Sequence, residues 1–383
     1  MRVEVRKKDL ANATKKLLKT ADCRSNIPVL ACLLAEIENG KLRLTTTNLE
    51  VTGWAEIPVK AQDGEGKFVF PIKKLEKIVS KAKSNSIVLE VEETEGSRKV
   101  IIDIGKTSFS FKEPFPVEEF PEVERSFESL LEMDAETFLN ISKKLLPFTS
   151  KDEGRYKLDF INIEAKKDAL HFVATDGHYL AWYKVDWEEL PDEEFQVSVN
   201  RKVVPLFKTF LSDSPVVEVG IIHKEDSKVV IRAGNCYLSW RHFDGVYPDW
   251  RSAIPGDNPD KAIFCRKTLL EAIDEVSVIF EKDSVPAGKL EIFDKELTLS
   301  AKVITDGEEA VSKIEIDSNV QREPIVIGFN LNHLSTTLKT FSKETIKMSF
   351  DTGYQTSEGI VAPVLFTCSR EPELKIVVMP MKV

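Results

Sequence analysis

The chain repeats itself three times, and this repetition limits what it can fold into. Three similar segments read LANATKKLL, FLNISKKLL and LLEAIDEVS, and they lie at residues 10–18, 138–146 and 269–277. A second set of three similar segments lies at residues 70–79, 199–208 and 329–338. The period of about 130 residues exceeds the roughly 20–50 residues of a solenoid repeat and is the size of a domain. We therefore predict three similar domains in a row, at residues 1–125, 126–255 and 256–383.

Each third shows the same order of helical and strand patterns. Leu10, Ala13, Leu17 and Leu18 follow the 3.6-residue period of an amphipathic helix, and the equivalent later segments do the same. Alternating stretches follow and indicate strands, at residues 41–45, 169–173 and 296–300. A second helix is predicted near residues 71–83, 201–212 and 331–342, with more strands after it. We predict an α+β fold in which each domain places two helices on one side of antiparallel sheets.

The composition is that of a folded protein with no membrane segment. No stretch approaches the roughly 18 apolar residues of a membrane helix, and the N-terminal MRVEVRKKDL lacks the apolar run of a signal peptide. The 5 cysteines are odd in number and form no CxxC pair, which favours reduced thiols in a cytoplasmic protein over disulfides or a metal site. The chain has no phosphate-binding GxxxxGK[ST] loop. We predict no metal and no cofactor.

Positive charge concentrates in the predicted helices, although the net charge of the whole chain is −10. The helix windows at residues 6–19 and 72–83 carry +5 and +4, and all six windows together carry +13. Lysine-rich helix faces often serve only solubility, but six such helices on one surface would bind duplex DNA through its phosphates without reading its sequence. The first helix of the last third departs from this pattern because it is acidic, through Glu271, Asp274, Glu275 and Glu281.

Three motifs, together with the repeat, carry a resemblance to a known family. They are ATDGHYLAW at residues 174–182, DGVYPDWRSAIP at residues 244–255 and the terminal VVMPMKV at residues 377–383. Over essentially the whole chain, the sequence closely resembles the β sliding clamp of bacterial DNA polymerase III. The resemblance implies a head-to-tail homodimeric ring of six domains that encircles duplex DNA and has no catalytic activity. It also implies partners: DNA polymerase III and other polymerases, the clamp loader, and repair proteins that bind through short linear motifs.

The resemblance further implies a hydrophobic pocket for partner peptides between the second and third domains. The positions that match its lining are Leu158, Thr175, Gly177, His178, Tyr179, Leu180, Pro248, Val377, Val378, Met379, Pro380 and Met381. Positions that match DNA contacts of the family are Arg24, Arg201 and Lys202, to which the charge pattern adds Lys73, Lys74 and Lys77. The sequence departs from the family at Tyr179 and Lys382, where Arg is common, and at Ser252–Ala253, where Arg–Val is favoured.

Two other interpretations come from the residues alone. Asp176 and His178 could belong to a hydrolase site, but the chain has neither GxSxG nor HExxH, and a histidine in a turn is more often structural. The basic helices could instead bind one face of DNA without encircling it. VVMPM by itself would be interpreted as a core strand.

Overall fold

The computed structural model describes the chain except for residues 95–96, 153–157, 168, 187–192, 224–225, 244, 257, 282–283, 304–306, 322, 357–358 and 383. Asp244 and Val383, the first and last residues of two of the motifs above, therefore lie outside the described residues. The chain forms two compact units. The first contains Met1–Asn140 and Lys202–Asp244, and the second contains Ile141–Arg201 and Gly245–Val383.

The first third sets the order of elements that the other two repeat. Among its described residues, one strand and a helix are followed by four strands, a second helix and three strands. These elements are β1 (Arg2–Arg6), α1 (Lys7–Leu17), β2 (Cys32–Glu38), β3 (Lys41–Thr47), β4 (Val51–Asp63), β5 (Gly66–Pro71), α2 (Ile72–Lys81), β6 (Ser86–Thr94), β7 (Ser97–Asp103) and β8 (Ser108–Lys112).

The second third has the same order of elements. They are β9 (Glu128–Asp134), α3 (Ala135–Leu145), β10 (Phe160–Lys166), β11 (Ala169–Thr175), β12 (Tyr179–Val185), β13 (Phe195–Asn200), α4 (Val204–Phe210), β14 (Val216–Ile222), β15 (Lys228–Ala233) and β16 (Cys236–Arg241). Helix α4 is shorter than the predicted 201–212 because Pro205, which has no amide hydrogen, is tolerated only in a first helical turn.

The last third repeats the order again and adds three two-residue strands. Its elements are β17 (Asp260–Cys265), α5 (Arg266–Val276), β18 (Ala287–Phe293), β19 (Glu296–Val303), β20 (Glu308–Glu315), β21 (Asp317–Ser318), β22 (Ile325–Asn330), α6 (Leu331–Thr340), β23 (Thr345–Phe350), β24 (Gln355–Thr356), β25 (Gly359–Ile360), β26 (Val364–Cys368) and β27 (Glu371–Val378). The predicted threefold repeat and α+β class are thus confirmed. The strands predicted at residues 41–45, 169–173 and 296–300 lie inside β3, β11 and β19.

In the first unit, a single sheet continues from one third of the chain into the next. Its strand order is β8-β7-β6-β1-β4-β16-β15-β14-β9, and the remaining strands β2, β3 and β5 pair among themselves and with β4. The continuity comes from β4 and β16, which pair antiparallel with Val51 opposite Trp240. Helices α1 and α2 pack against each other, and Leu10, Leu17 and Leu75 are among their buried residues.

The second unit contains the equivalent junction. Its nine-stranded sheet has the order β13-β10-β11-β12-β27-β26-β23-β17-β21, and β12 pairs antiparallel with β27. A separate four-stranded sheet has the order β20-β19-β18-β22. In both units, therefore, the fourth strand of one third pairs with the last strand of the next. The domain boundaries at 125/126 and 255/256 stay a prediction.

Candidate functional site

The ATDGH motif forms a tight turn between β11 and β12. The Asp176 Oδ1 atom accepts hydrogen bonds from the backbone N–H groups of His178 and Tyr179, at 2.8 and 3.3 Å. The Thr175 hydroxyl donates to the Tyr179 carbonyl at 2.8 Å and accepts from the Gly177 N–H at 3.1 Å. Gly177 has a φ of +92°, a conformation that a residue with a Cβ atom adopts only under strain. The turn is therefore fixed by its own side chains, and its tip, Gly177–His178, is exposed.

The C-terminal tail is held against this turn. Strand β27 pairs with β12 so that Val378 lies opposite Tyr179 and Val377 opposite Leu180. The pairing extends one step beyond the strand, because the Met379 N–H donates to the His178 carbonyl at 2.9 Å. The Met381 N–H donates to the Gly328 carbonyl, also at 2.9 Å. The backbone of the tail is thus fixed while Met379 leaves 41% of its surface exposed.

The pocket residues expected from the sequence divide by burial. Thr175, Tyr179, Leu180, Val377 and Val378 are buried, so a peptide could reach little of them. Those at the surface are Gly177, His178, Pro248 and Met379, with Leu158, Pro380 and Met381 half-buried. The structure brings the tail and the turn together by direct hydrogen bonds. Leu158 is held separately, through its carbonyl, which accepts from the Ser150 N–H at 2.8 Å.

Tyr179 forms a rigid aromatic wall. Its ring stacks on His333 at a centroid distance of 4.4 Å and an interplanar angle of 7°, and it packs against Phe148 at 4.6 Å. Its hydroxyl donates to the Pro147 carbonyl at 2.6 Å. Burial raises the pKa of Tyr179 to about 12, so the hydroxyl stays protonated. His333 lies in the repeated segment 329–338, but the sequence does not indicate its contact with Tyr179, which depends on the packing of α6.

A cavity of about 570 Å³ extends the surface beyond the tail. It is lined by residues 252–256, Asn258, Asp351, Tyr354 and residues 361–363. Val364 pairs with Val378, so Pro363, one residue before Val364, lies beside the backbone where Met379 leaves the strand. One lining residue of the cavity, Pro363, is therefore next to Met379. Ser252 and Ala253 depart from the family pattern in the sequence, whereas no sequence pattern marks residues 361–363.

Two lysines of the basic helix windows have structural roles instead of facing solvent. Lys16 is only 3% exposed, and its ammonium group lies 2.8 Å from Asp213 Oδ2, 3.4 Å from the Phe210 carbonyl oxygen and 3.6 Å from Cys236 Sγ. Lys144 donates to Glu371 Oε1 at 2.7 Å. These two charges are neutralised within their own units, which lowers the charge available to a polyanion.

The other basic residues expected at DNA differ in their surroundings. Arg24, Lys73 and Lys77 are exposed. Lys74 is also exposed, but its ammonium group lies 4.8 Å from the centre of the Phe111 ring, on the edge strand β8. Lys202 is exposed and lies 3.8 Å from Glu50.

Arg201 is the sixth of these residues and is half-buried. One of its guanidinium nitrogens donates to the Ser150 carbonyl at 3.1 Å. Arg201 therefore helps to fix the segment that precedes the undescribed residues 153–157.

The arrangement gives the hydrolase interpretation no support. The carboxylate of Asp176 accepts the backbone N–H groups of His178 and Tyr179, which is a structural role in its own turn. Within the described ranges, no group of three or more His, Cys, Asp or Glu side chains could hold a metal ion. None of the helices among these residues is long and apolar enough to cross a membrane.

Comparison with known proteins gives a consistent result along the chain. Residues 1–124, 132–249 and 251–382 match the N-terminal, central and C-terminal domains of the family DNA polymerase III beta subunit. The beta sliding clamp of Synechococcus elongatus is 25% identical over 371 residues, which cover 95% of this chain and 96% of that protein.

Solved structures share the fold over the full length. The DNA polymerase III subunit beta of Pseudomonas aeruginosa has a TM-score of 0.87 at 22% identity and covers 100% of both chains. Another structure, the Pseudomonas aeruginosa sliding clamp bound to griselimycin, has a TM-score of 0.84 at 23% identity, again over 100% of both chains.

Proposed function

The chain belongs to the DNA polymerase III beta subunit family, and it is a sliding clamp, a non-enzymatic processivity factor of DNA replication; from this premise we propose that two copies close head to tail into a ring around duplex DNA. The observation that carries the proposal is the way the thirds join. Strand β4 pairs with β16, and β12 pairs with β27. By the same rule, β20 should pair with the last strand of a first third, which is β8.

Strands β8 and β20 are both available for such a pairing. Among the described strands, β8 ends the order of the twelve-stranded sheet and β20 ends that of the four-stranded sheet. Unpaired strand edges are a ready template for another chain, and closure into a ring removes them. Because the contact joins two different surfaces, it is heterologous, and it gives a closed ring only if the rotation closes. Three similar thirds in each of two chains fit that condition.

The charges next to the two edges are complementary. Lys74 lies over Phe111 of β8, beside Lys73 and Lys77 of the same helix. On the other side, α5 packs on β20 and carries Glu271, Asp274 and Glu275. This explains why the first helix of the last third is acidic: it faces the neighbouring subunit's basic edge. We assign Lys74 to that contact, which leaves Lys73 and Lys77 as the members of this helix proposed to bind DNA.

Retention on circular and on linear DNA tests whether the protein encircles the duplex. A clamp loaded on nicked circular DNA should stay bound through gel filtration at moderate salt, and it should leave when the circle is cut to a linear form. A protein that only binds one face of DNA would depend on salt in the same way on both forms, because its affinity comes from counterion release. Retention that is equal on circles and on linear DNA would exclude encirclement.

Charge variants separate the two roles of helix α2. We expect Lys73→Glu with Lys77→Glu to weaken retention on circles while the dimer persists. Lys74→Glu should instead dissociate the dimer, since it opposes the acidic α5. Equal behaviour of the two variants would contradict the assignment.

For partner binding, we propose that peptides of polymerases, the clamp loader and repair proteins dock on the surface formed by the 175–180 turn, the tail and the adjacent cavity. Exposed Met379 supports this, since a flexible thioether packs against many related side chains. Deletion of residues 379–383 should abolish peptide binding and leave the dimer intact. Griselimycin, which binds the Pseudomonas aeruginosa clamp, should bind this chain and compete with such peptides. A truncated chain with unchanged peptide affinity would refute the assignment.

We also propose that the protein acts in the cytoplasm, where its DNA substrate is. Fractionation of cells expressing a tagged full-length chain should recover it with the nucleoid and the soluble fraction. Recovery in a membrane pellet after high-salt washing would contradict this location.

A further inference from the structure

The cavity beside the C-terminal tail carries negative charge and no positive charge among its described lining residues. Among the described residues that line it, Asp351 is the one side chain charged at neutral pH, and the rest are apolar or neutral. Two of its apolar members, Tyr354 and Val361, are exposed by 60% and 49%. The cavity therefore offers apolar contact area around a single carboxylate.

The carboxylate of Asp351 is positioned but not neutralised. Its Oδ1 atom accepts the Gly353 N–H at 2.8 Å, which fixes the side chain at the start of a short helical turn. No ion pair of Asp351 is found within the part of the chain that the structure describes. The nearest basic residue along the lining segment, Arg251, is already paired with Glu164 at 2.5 Å and lies over the Trp250 ring at 4.1 Å.

A second acidic side chain lies on the other side of Thr352. Asp260 Oδ2 accepts the Thr352 hydroxyl at 2.7 Å. Asp260 lines a different cavity, so Asp351 remains the charged side chain that a peptide would meet among the described residues here. A peptide that entered the cavity with an acidic residue would meet uncompensated negative charge, whereas a basic residue would find a half-buried partner.

We propose that Asp351 is a specificity-determining residue, which makes the cavity select partner peptides that carry Lys or Arg next to their apolar anchor. The inference rests on the proposed peptide-binding function and adds the chemistry of the partner. The continuity of the cavity with the tail, through the pairing of Val364 with Val378, places this carboxylate on the same binding surface. The occupant is a short linear segment of another protein with apolar and basic residues side by side.

The test uses the full-length protein and a phage-displayed library of random dodecapeptides. Peptides are selected on the unaltered chain after removal of those that bind the Met379→Gln variant. The selected set should be enriched in Lys or Arg within three positions of an apolar pair, and selection on Asp351→Asn should lose that enrichment. Asn keeps the oxygen that accepts the Gly353 N–H, so the turn should persist. The matched control is Asp186→Asn, an exposed carboxylate in the same unit.

Affinity of the best basic peptide then gives the size of the effect. A half-buried ion pair should make binding about threefold to tenfold weaker on Asp351→Asn, with no change on Asp186→Asn. The same peptide with its basic residue replaced by Gln should bind the unaltered chain and Asp351→Asn equally. Recovery of Met379-dependent peptides without basic residues, or equal binding of the basic peptide to both variants, overturns the role of Asp351 while the pocket stands. Failure to recover any Met379-dependent peptide overturns the pocket as well.

Discussion

At the residue scale, the charge pattern of the sequence does not reveal that Lys16 is buried. The sequence places it beside Lys15 in a basic window, but Ala13 and Leu17 lie on the buried face of α1 and take Lys16 with them. We expect Lys16→Ala to lower the free energy of unfolding by about 2–3 kcal/mol, since it removes a packed stem and the partner of Asp213. Lys15→Ala, at an exposed position, should change it by less than about 0.5 kcal/mol. Urea unfolding of the two variants compares them, and equal losses would contradict the buried pair.

The single residue His333 should make the stability of the fold depend on pH. Burial lowers the pKa of His333 below its ordinary value of 6.5, so the unfolded chain binds the proton more strongly than the folded chain. Stability should therefore rise with pH through the window below 6.5 and level off above it. His333→Phe keeps the ring stack on Tyr179 without a titrating group, and its unfolding midpoint should be less sensitive to pH between about 5 and 7. An unchanged slope in this variant would assign the dependence to other groups.

At the scale of elements, local periodicity predicts helices and strands well but not their partners. Helices α1, α2 and α6 lie within about four residues of the predicted limits because their apolar residues recur at 3.6-residue spacing. No sequence pattern shows that β12 pairs with β27, because the two strands are far apart in the chain. The proposed peptide surface depends on that pairing. Its residues could be named only through the resemblance, and His333 and residues 361–363 were missed.

The proposed contact of β20 with β8 predicts a specific effect of exposed apolar residues. Val278, just after α5, is 82% exposed, and Val311 of β20 is 55% exposed. Val278→Asp should convert the dimer to monomers, because it places a charge in an apolar contact without disturbing the fold of its own unit. Val246→Asp is the matched control, since Val246 is 91% exposed and lies away from both edges in the chain. Sedimentation equilibrium separates the outcomes, and a dimer that persists in Val278→Asp would place the interface elsewhere.

At the scale of the whole molecule, the net charge of −10 hides an arrangement that both binding functions need. In the proposed ring, lysines on α2 and acidic residues on α5 hold two copies together, and the remaining exposed cations bind phosphate loosely enough to slide. Electrostatic contacts of this kind weaken with salt, because the Debye length falls from about 30 Å at 0.01 M to about 3 Å at 1 M. Apolar contacts do not weaken in this way. The salt dependence of assembly therefore reports which of the two dominates.

We expect the dimer to dissociate more readily as sodium chloride rises from about 0.05 to 0.5 M, since screening acts on the exposed lysine and carboxylate side chains at the two edges. Lys74→Gln should bind its partner more weakly at low salt and show a flatter dependence, because the charge that responds to salt is gone. Lys208→Gln, on the exposed surface of α4, should keep the steep dependence of the unaltered chain. Native mass spectrometry gives the oligomeric state at low salt, and sedimentation gives the dissociation constant of the dimer at each salt concentration. A dimer that strengthens with salt would mean that apolar residues such as Val278 and Phe109 hold the ring and that the charges only orient it. An unchanged slope in Lys74→Gln would assign the salt response to charges other than Lys74.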